Sequence, residues 1–158
     1  MGIFVRSQHT PHPRNSTTHI RWMILRDLPD VQEIDLATFD QPWRMHHFRS
    51  YLRRRFHVGL TGIWRDVIAG YLLYEPAADC YIVSRLAVDP YMRGNGIGTT
   101  LIERLKTRCG SNRRGIVMLV PLMELDTLEF LRRRGFKAEV CFEDAETSMD
   151  VLSMEWHR

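Results

Sequence analysis

The chain has no paired cysteines. Cys80, Cys109 and Cys141 stand singly without a Cys-x-x-Cys, which argues against a disulfide framework and a zinc site and leaves three ordinary thiols. No apolar run approaches the length of a bilayer span. The first ten residues lack a sustained apolar stretch followed by small residues, so no secretory signal is expected, and a cytoplasmic location is. Charge of one sign is also scarce. With 22 Lys+Arg against 19 Asp+Glu the net charge is only +3, which does not by itself demand nucleic acid. No DNA partner and no membrane partner are expected, and no internal repeat is visible.

At 158 residues the chain suffices for one domain with a real core, placed at 18–158 behind a tail at 1–17. Pro11, Pro13, His9 and His12 lie in that tail among Ser, Thr and Asn, so it reads as flexible and solvated, with no metal site despite the histidines. Ile20 to Leu25 reads as a first strand. Asp27-Leu28-Pro29-Asp30 opens a helix with Val31, Ile34, Leu36 and Phe39 inward, and Pro42 breaks it by disfavouring helical geometry at Gln41. A second helix runs from about Arg44 to Arg55. Val58 to Trp64, Val67 to Tyr74 and Tyr81 to Val88, joined by turns at Arg65-Asp66 and Glu75 to Asp79, read as an antiparallel meander. Gly115 to Val120 is a buried strand. Asp126 to Arg134 is a helix stopped by Gly135, with Asp126 as its N-cap, and Phe136 to Cys141 and Met149 to Trp156 form a last strand pair. The arginine groups 53–55, 113–114 and 132–134 read as solvated faces.

The rest is organised around the stretch Val88 to Gly110, a strand, a glycine loop and a helix. Gly94, Gly96 and Gly98 remove side chains where a helix begins and its first N–H groups lack partners. The helix dipole and Arg93 add positive charge, so a phosphate or pyrophosphate is the natural guest. The spacing is not the dinucleotide pattern G-x-G-x-x-G, and the Gly-Lys-Ser/Thr of a P-loop is missing. Valine at Gly96 or Gly98 is expected to block this cradle and spare the core.

Arg93-Gly94-Asn95-Gly96-Ile97-Gly98, preceded by Leu86-Ala87-Val88-Asp89-Pro90, resembles the acyl-CoA loop of the GNAT N-acetyltransferases. Phe130 to Phe136 is similar to that family's closing helix and Gly-Phe turn, and Ala37 to Trp43 resembles a segment of the RimI-type ribosomal-protein N-terminal acetyltransferases. The resemblance implies a mixed α/β (α+β) fold, with a mostly antiparallel sheet of about seven strands, a V-shaped split between strands 4 and 5, and four flanking helices. It implies acetyl-CoA as cofactor. Arg93, Gly94, Asn95, Gly96, Ile97 and Gly98 would hold the pyrophosphate, and Leu86, Ala87 and Val88 would pair with the pantetheine arm. Thr99 either supports a phosphate or caps the helix. Phe39, Pro42 and Trp43 either shape the acceptor groove or pack between two helices.

Catalytic roles do not carry over in the same way. The resemblance puts Leu119 and Leu131 where RimI-type enzymes have their Glu base and Tyr acid, and Glu124 where the family often has a CoA-contacting Asn. Tyrosine restored at Leu131 is expected to leave activity unchanged or raised. Glu124 and Glu75 are the candidate bases, with Tyr81, Ser84 and Asp126 behind them, each with an ordinary structural role as the alternative. Asp40 is a candidate to attract a cationic amine. The implied acceptor is a peptide or protein N-terminus, with a ribosomal protein among the candidates, or a small amine, and the implied assembly is a monomer or homodimer. A binding module that has lost its chemistry, and an RNA-associated protein using Arg53 to Arg55 and Arg132 to Arg134, are the competing expectations.

Overall fold

A computed structural model describes residues 17–158. The tail reading, with His9 and His12, falls on residues 1–16, outside the described residues. The order is β1 (His19–Trp22), a 3-10 turn (Leu25–Asp27), α1 (Leu28–Thr38), α2 (Met45–Arg53), β2 (Val58–Trp64), β3 (Val67–Pro76) and β4 (Cys80–Val88). A second 3-10 turn (Pro90–Met92) leads to α3 (Ile97–Lys106), β5 (Gly115–Pro121), α4 (Leu125–Arg132), β6 (Lys137–Glu143) and β7 (Asp150–His157). The strands form one seven-stranded sheet in the order β1-β2-β3-β4-β5-β7-β6. Only the β4–β5 pair is parallel. Among the described residues no helix is long and apolar enough to cross a membrane.

Each sheet face has its own core. Leu72 and Tyr74 of β3 point into a cluster with Leu101, Ile102 and Leu105 of α3, whereas Tyr71 and Leu73 point into one with Val31, Ile34 and Phe48 of α1 and α2. Two-sided burial explains why β3 reads as a continuous apolar run. In α3 the buried Ile97, Leu101, Ile102 and Leu105 form a single stripe, so its packing orients the glycine loop ahead of it.

The split arises from one extra residue. Arg85 lies opposite Leu73 and Val83 opposite Tyr74, so Ser84 is a bulge in β4. A bulge bends its strand and increases the local twist. Parallel pairing with β5 accordingly runs from Cys80↔Gly115 to Val83↔Met118 and ends there, while β5 stays paired to β7 as far as Pro121↔Val151. From Arg85 to Val88, β4 keeps its β3 partner and presents a bare edge towards β5.

Several boundaries differ from the sequence expectation. Strand β1 stops at Trp22, because residues 25–27 turn to bring Asp27 onto Arg21 at 2.6 Å. Leu36 is 57% exposed, and the inward position of α1 belongs to the charged Asp35, which is fully buried. Phe39 lies one residue beyond α1. Glu75 and Pro76 extend β3 instead of forming the turn. Asp126 sits in the first turn of α4, whose N-cap is Glu124.

Candidate active site

At the C-terminal end of the bare β4 edge stands the start of α3. Gly94 and Gly96 have φ of +79° and +77°, a region that side-chain-bearing residues rarely adopt, and a Cβ at either would meet nothing within 4 Å among the described residues. The space over both is open. The first α3 bond runs from the Thr100 N–H to the Gly96 carbonyl at 2.9 Å, so the N–H groups of Ile97, Gly98 and Thr99 precede the helical ladder. The loop braces itself, with Asn95 Nδ2 donating to the Met92 carbonyl at 2.9 Å and Arg93 Nε to the Val88 carbonyl at 3.3 Å. Arg93 therefore stands where the bare edge meets the cradle.

Gly98 is a different kind of glycine. It is buried, and a Cβ there would come within 3.1 Å of the Phe130 ring and 3.4 Å of Val88 Cγ2. It lets α3 pack closely on α4 and β4, which corrects the expectation that valine at this position would spare the core. Thr99 does not cap the helix, whose N-cap is Gly96. Its hydroxyl accepts from Arg134, whose Nε lies 2.9 Å away and whose Nη2 also donates to it.

Arg134 also departs from the solvated-face reading. Its guanidinium stacks 3.7 Å from the Phe130 ring centroid and donates to the Phe130 carbonyl at 2.8 Å, which fixes a half-buried cation beside the first turn of α3. Burial is the main influence on its pKa and lowers it, yet an arginine stays charged at neutral pH. Its neighbours Arg132 and Arg133 are exposed and bridge Glu129 at 2.8 and 2.7 Å. Sequence reasoning missed Arg134 because only the fold brings residue 134 to residue 99.

At the other end of the bare edge, the Ser84 hydroxyl in the bulge lies 3.0 Å from the Tyr51 hydroxyl of α2. The Tyr51 ring packs edge-on to His57 at 4.4 Å, and His57 Nε2 pairs with Glu75 at 2.8 Å. Burial pushes the Tyr51 pKa up to about 12, the Ser84 bond works against this and the Glu75 charge adds to it. The phenol is therefore protonated at neutral pH and is no base. His57 Nδ1 is buried without a hydrogen-bond partner among the described residues. Two sequence candidates, Glu75 and Ser84, are thus gathered with two residues that sequence reasoning passed over, Tyr51 and His57.

Beside this group, Asp35 accepts from Arg85 at 2.5 and 2.9 Å, from the Trp43 backbone N–H at 2.5 Å and from the Tyr71 hydroxyl. The Arg85 guanidinium also donates to the Gln41 carbonyl at 3.1 Å and stacks on Phe39 at 3.9 Å. One buried carboxylate ties α1, β3, β4 and the α1–α2 loop together. Phe39 and Trp43 pack inside this arrangement, with Trp43 against Phe48 at 5.4 Å and Tyr51 at 5.7 Å. Asp40 is exposed on the same loop.

The opposite wall carries less chemistry. Glu124 Oε2 accepts from the Thr127 hydroxyl at 3.2 Å at the start of α4. Leu119 is 46% exposed, on a sheet face that α1 and α2 leave uncovered. Tyr81 packs edge-on against Tyr74 at 5.4 Å. Leu131 is fully buried in the α3–α4 core. Leu131→Tyr is therefore expected to overpack that core and cost about 1–3 kcal/mol in urea unfolding, an effect on folding separate from the activity expected from the sequence. A separate groove of about 600 Å³, lined by Asp27, Asp30, Glu33, Asp66 and Asp89 with Arg21 and Arg26, receives nothing from β5, α3 or α4.

A split sheet, a bare strand edge and an open helix start in series distinguish this site from a nucleotide fold. The model of the acetyltransferase (GNAT) family matches residues 28–136. The chain belongs to the GNAT family. No curated protein matches it by sequence. Among solved structures it is similar to the ribosomal-protein-S18-alanine N-acetyltransferase of Escherichia coli (17% identity, 89% of this chain and 94% of that one, TM-score 0.75). It is also similar to Ard1 of Thermoplasma volcanium (15%, 89% and 97%, 0.78) and to NAA60 of Arabidopsis thaliana bound to a bisubstrate analogue (15%, 90% and 99%, 0.77). At these identities the likeness shows the GNAT fold, with its mixed α/β sheet and four helices. Membership implies acetyl-CoA as donor, and the residues present fit it. The space over Gly94 and Gly96 is open for a pyrophosphate, and the edge from Arg85 to Val88, apart from the Val88 carbonyl held by Arg93, has backbone groups that β5 leaves unpaired to face an amide-bearing arm.

Proposed function

We propose that this GNAT acetyltransferase moves the acetyl group of acetyl-CoA to the α-amine of a peptide or protein. The observation that carries the reading is the β4 edge, bare from Arg85 to Val88, leading from the Ser84 bulge to the α3 cradle. Leu86, Ala87 and Val88 would pair with the pantetheine arm. Arg93, Gly94, Asn95, Gly96, Ile97 and Gly98 would receive the pyrophosphate, and Arg134, held on Thr99, would add a second cation. Arg134→Ala is expected to weaken CoA binding about tenfold, within the range of a charged hydrogen bond, with little change in melting temperature. Calorimetry beside a thermal melt checks this.

Bound there, acetyl-CoA supplies an activated carbonyl and a thiolate good enough to leave without an acid, so Leu131 in place of tyrosine does not forbid transfer. The remaining requirement is a neutral amine. An α-amine has an unperturbed pKa of about 8, well below that of a lysine side chain, and needs the least help to lose its proton. A new C–N bond forms as the C–S bond breaks, and the amine proton passes to Glu75 with His57, the carboxylate joined to the bulge through His57 and Tyr51. Glu124, engaged with Thr127, is the alternative acceptor of that proton. Glu75→Gln is expected to lower kcat about a hundredfold with KM for acetyl-CoA unchanged, and a larger loss in Glu124→Gln would reverse the assignment. Trp43 and Phe39 would border the acceptor as walls of the groove, and the uncovered sheet face at Leu119 gives a peptide room to lie.

The enzymes compared above fit this reading, since one is named for acetylating an alanine of a ribosomal protein and another is bound to a bisubstrate analogue. A ribosomal protein remains within the proposed acceptor class. The competing reading, a module that binds acyl-CoA without transferring it, is favoured by Leu119 and Leu131 in the places where a base and an acid were expected. A peptide carrying both a free α-amine and a lysine separates the readings. Mass spectrometry is expected to find the acetyl group on the α-amine. Lysine modification alone would overturn the α-amine assignment, and no modification across a broad peptide panel would favour the module.

A further inference from the structure

We propose that the outward face of α2 docks an acidic segment of the acceptor, carboxylates that follow its α-amine and lie along Arg49 and Arg53. The inference rests on the peptide reading above and specifies its substrate class. Between Arg44 and His57 the chain has five arginines and three histidines, and the first carboxylate comes at Asp66. Phe48 and Tyr51 fix which face of α2 is buried, leaving His46, Arg49, Ser50 and Arg53 exposed on the other.

Four arginines elsewhere among the described residues are matched by carboxylates. Arg21 has Asp27 at 2.6 Å, Arg85 has Asp35 at 2.5 Å, and Arg132 and Arg133 share Glu129. No ion pair reaches Arg44, Arg49 or Arg53 among the described residues, and Arg55 leans over Phe56 at 4.7 Å. Nearby carboxylates are committed elsewhere, Glu75 to His57 and Asp35 to Arg85. Asp40 alone stands exposed on the preceding loop. Arg49 and Arg53, one turn apart on α2, repel each other, as do Arg53, Arg54 and Arg55 at its end, and a negatively charged partner relieves that repulsion.

Position assigns this surface to the acceptor. Tyr51 touches Ser84 where β4 leaves β5, and the uncovered sheet face with Leu119 lies beyond the split. A peptide with its amine at the split and its body on that face passes beside α2. RNA recognition calls for several aromatic faces open to bases, whereas Trp43 and Tyr51 are packed among other rings and Phe56, 64% exposed, stands alone with Arg55 over its ring. A membrane-surface helix needs apolar residues on the exposed side, and the His46, Arg49, Ser50 and Arg53 stripe has none.

The test uses the full chain saturated with CoA and three fluorescent peptides that differ only after the N-terminal alanine, in three Glu, three Gln or three Lys. Anisotropy is expected to give a Kd about tenfold lower for the Glu peptide than for the Gln peptide at low salt, narrowing as KCl rises. In a folded R49E/R53E variant with unchanged CoA affinity, the order is expected to invert in favour of Lys. Equal affinity for the Glu and Gln peptides overturns the inference. So does an oligouridylate of the same charge that binds more tightly than the Glu peptide and is lost in R49E/R53E. Thiol release from acetyl-CoA is read in parallel. Acid-selective binding without transfer to any peptide would refute the acceptor reading and leave the docking surface standing, whereas transfer without charge preference would do the reverse.

Discussion

Asp35→Ala is expected to cost about 3–5 kcal/mol of folding stability, the effect of leaving a buried partner charge uncompensated. Arg85, with 13% of its side chain exposed, would keep its charge against Phe39 and Trp43 with no counter-ion. The Tyr71 hydroxyl and the Trp43 backbone N–H would lose their acceptor in the same change. With an m-value of about 1–3 kcal/mol/M, the urea midpoint should fall by roughly 2 M. Replacing both partners, Asp35→Leu with Arg85→Leu, should recover the part of the loss that comes from the uncompensated Arg85 charge, but not the part from the Tyr71 hydroxyl and the Trp43 N–H, which still lack an acceptor. Its loss from Asp35→Ala should also raise KM for a peptide more than for acetyl-CoA, since the carboxylate holds the α1–α2 loop. Equal stability of wild type and Asp35→Ala would mean that the network contributes nothing.

The glycines of the loop should separate binding from folding. Gly96→Val keeps the core and strains one residue at φ +77°, a cost of about 1–2 kcal/mol, while its side chain occupies the open cradle. CoA affinity should drop at least about a hundredfold, or about 2.7 kcal/mol. Gly98→Val instead drives methyl groups into the Phe130 ring and Val88. It should cost a further few kcal/mol of stability, and any loss of CoA binding would follow from displacement of α3. Urea melts of the two variants beside CoA titrations check the distinction. A Gly96→Val protein that binds CoA normally would remove the pyrophosphate from this loop.

Features set by local chemistry could be read from the chain. The β2, β3 and β4 meander shows as apolar runs broken at Arg65-Asp66 and near Asp79, and the α3 start shows in its glycines and Arg93. Features set by tertiary contact could not. Asp35 is a charged residue at an inward helical position, so hydrophobic periodicity passed over it and chose Leu36, which faces out. Gly98 looks like Gly96 in a sequence and differs only because Phe130 packs over it. Arg134 lies within a run of three arginines, and only α4 packing sends it to Thr99 while its two neighbours meet Glu129. The β4 bulge at Ser84 has no local signature at all, since it is a register shift against β3, yet it opens the split and gathers Tyr51, His57 and Glu75 beside it.

Acetyl-CoA held along the bare β4 edge is expected to give its acetyl group to a peptide α-amine. Free-thiol release measured with one peptide in two forms, α-amine free and α-amine already acetylated, tests it directly. Release is predicted with the free peptide, saturable in peptide and abolished by blocking the amine. The same rate with both forms, or none with either while CoA binds, would contradict it.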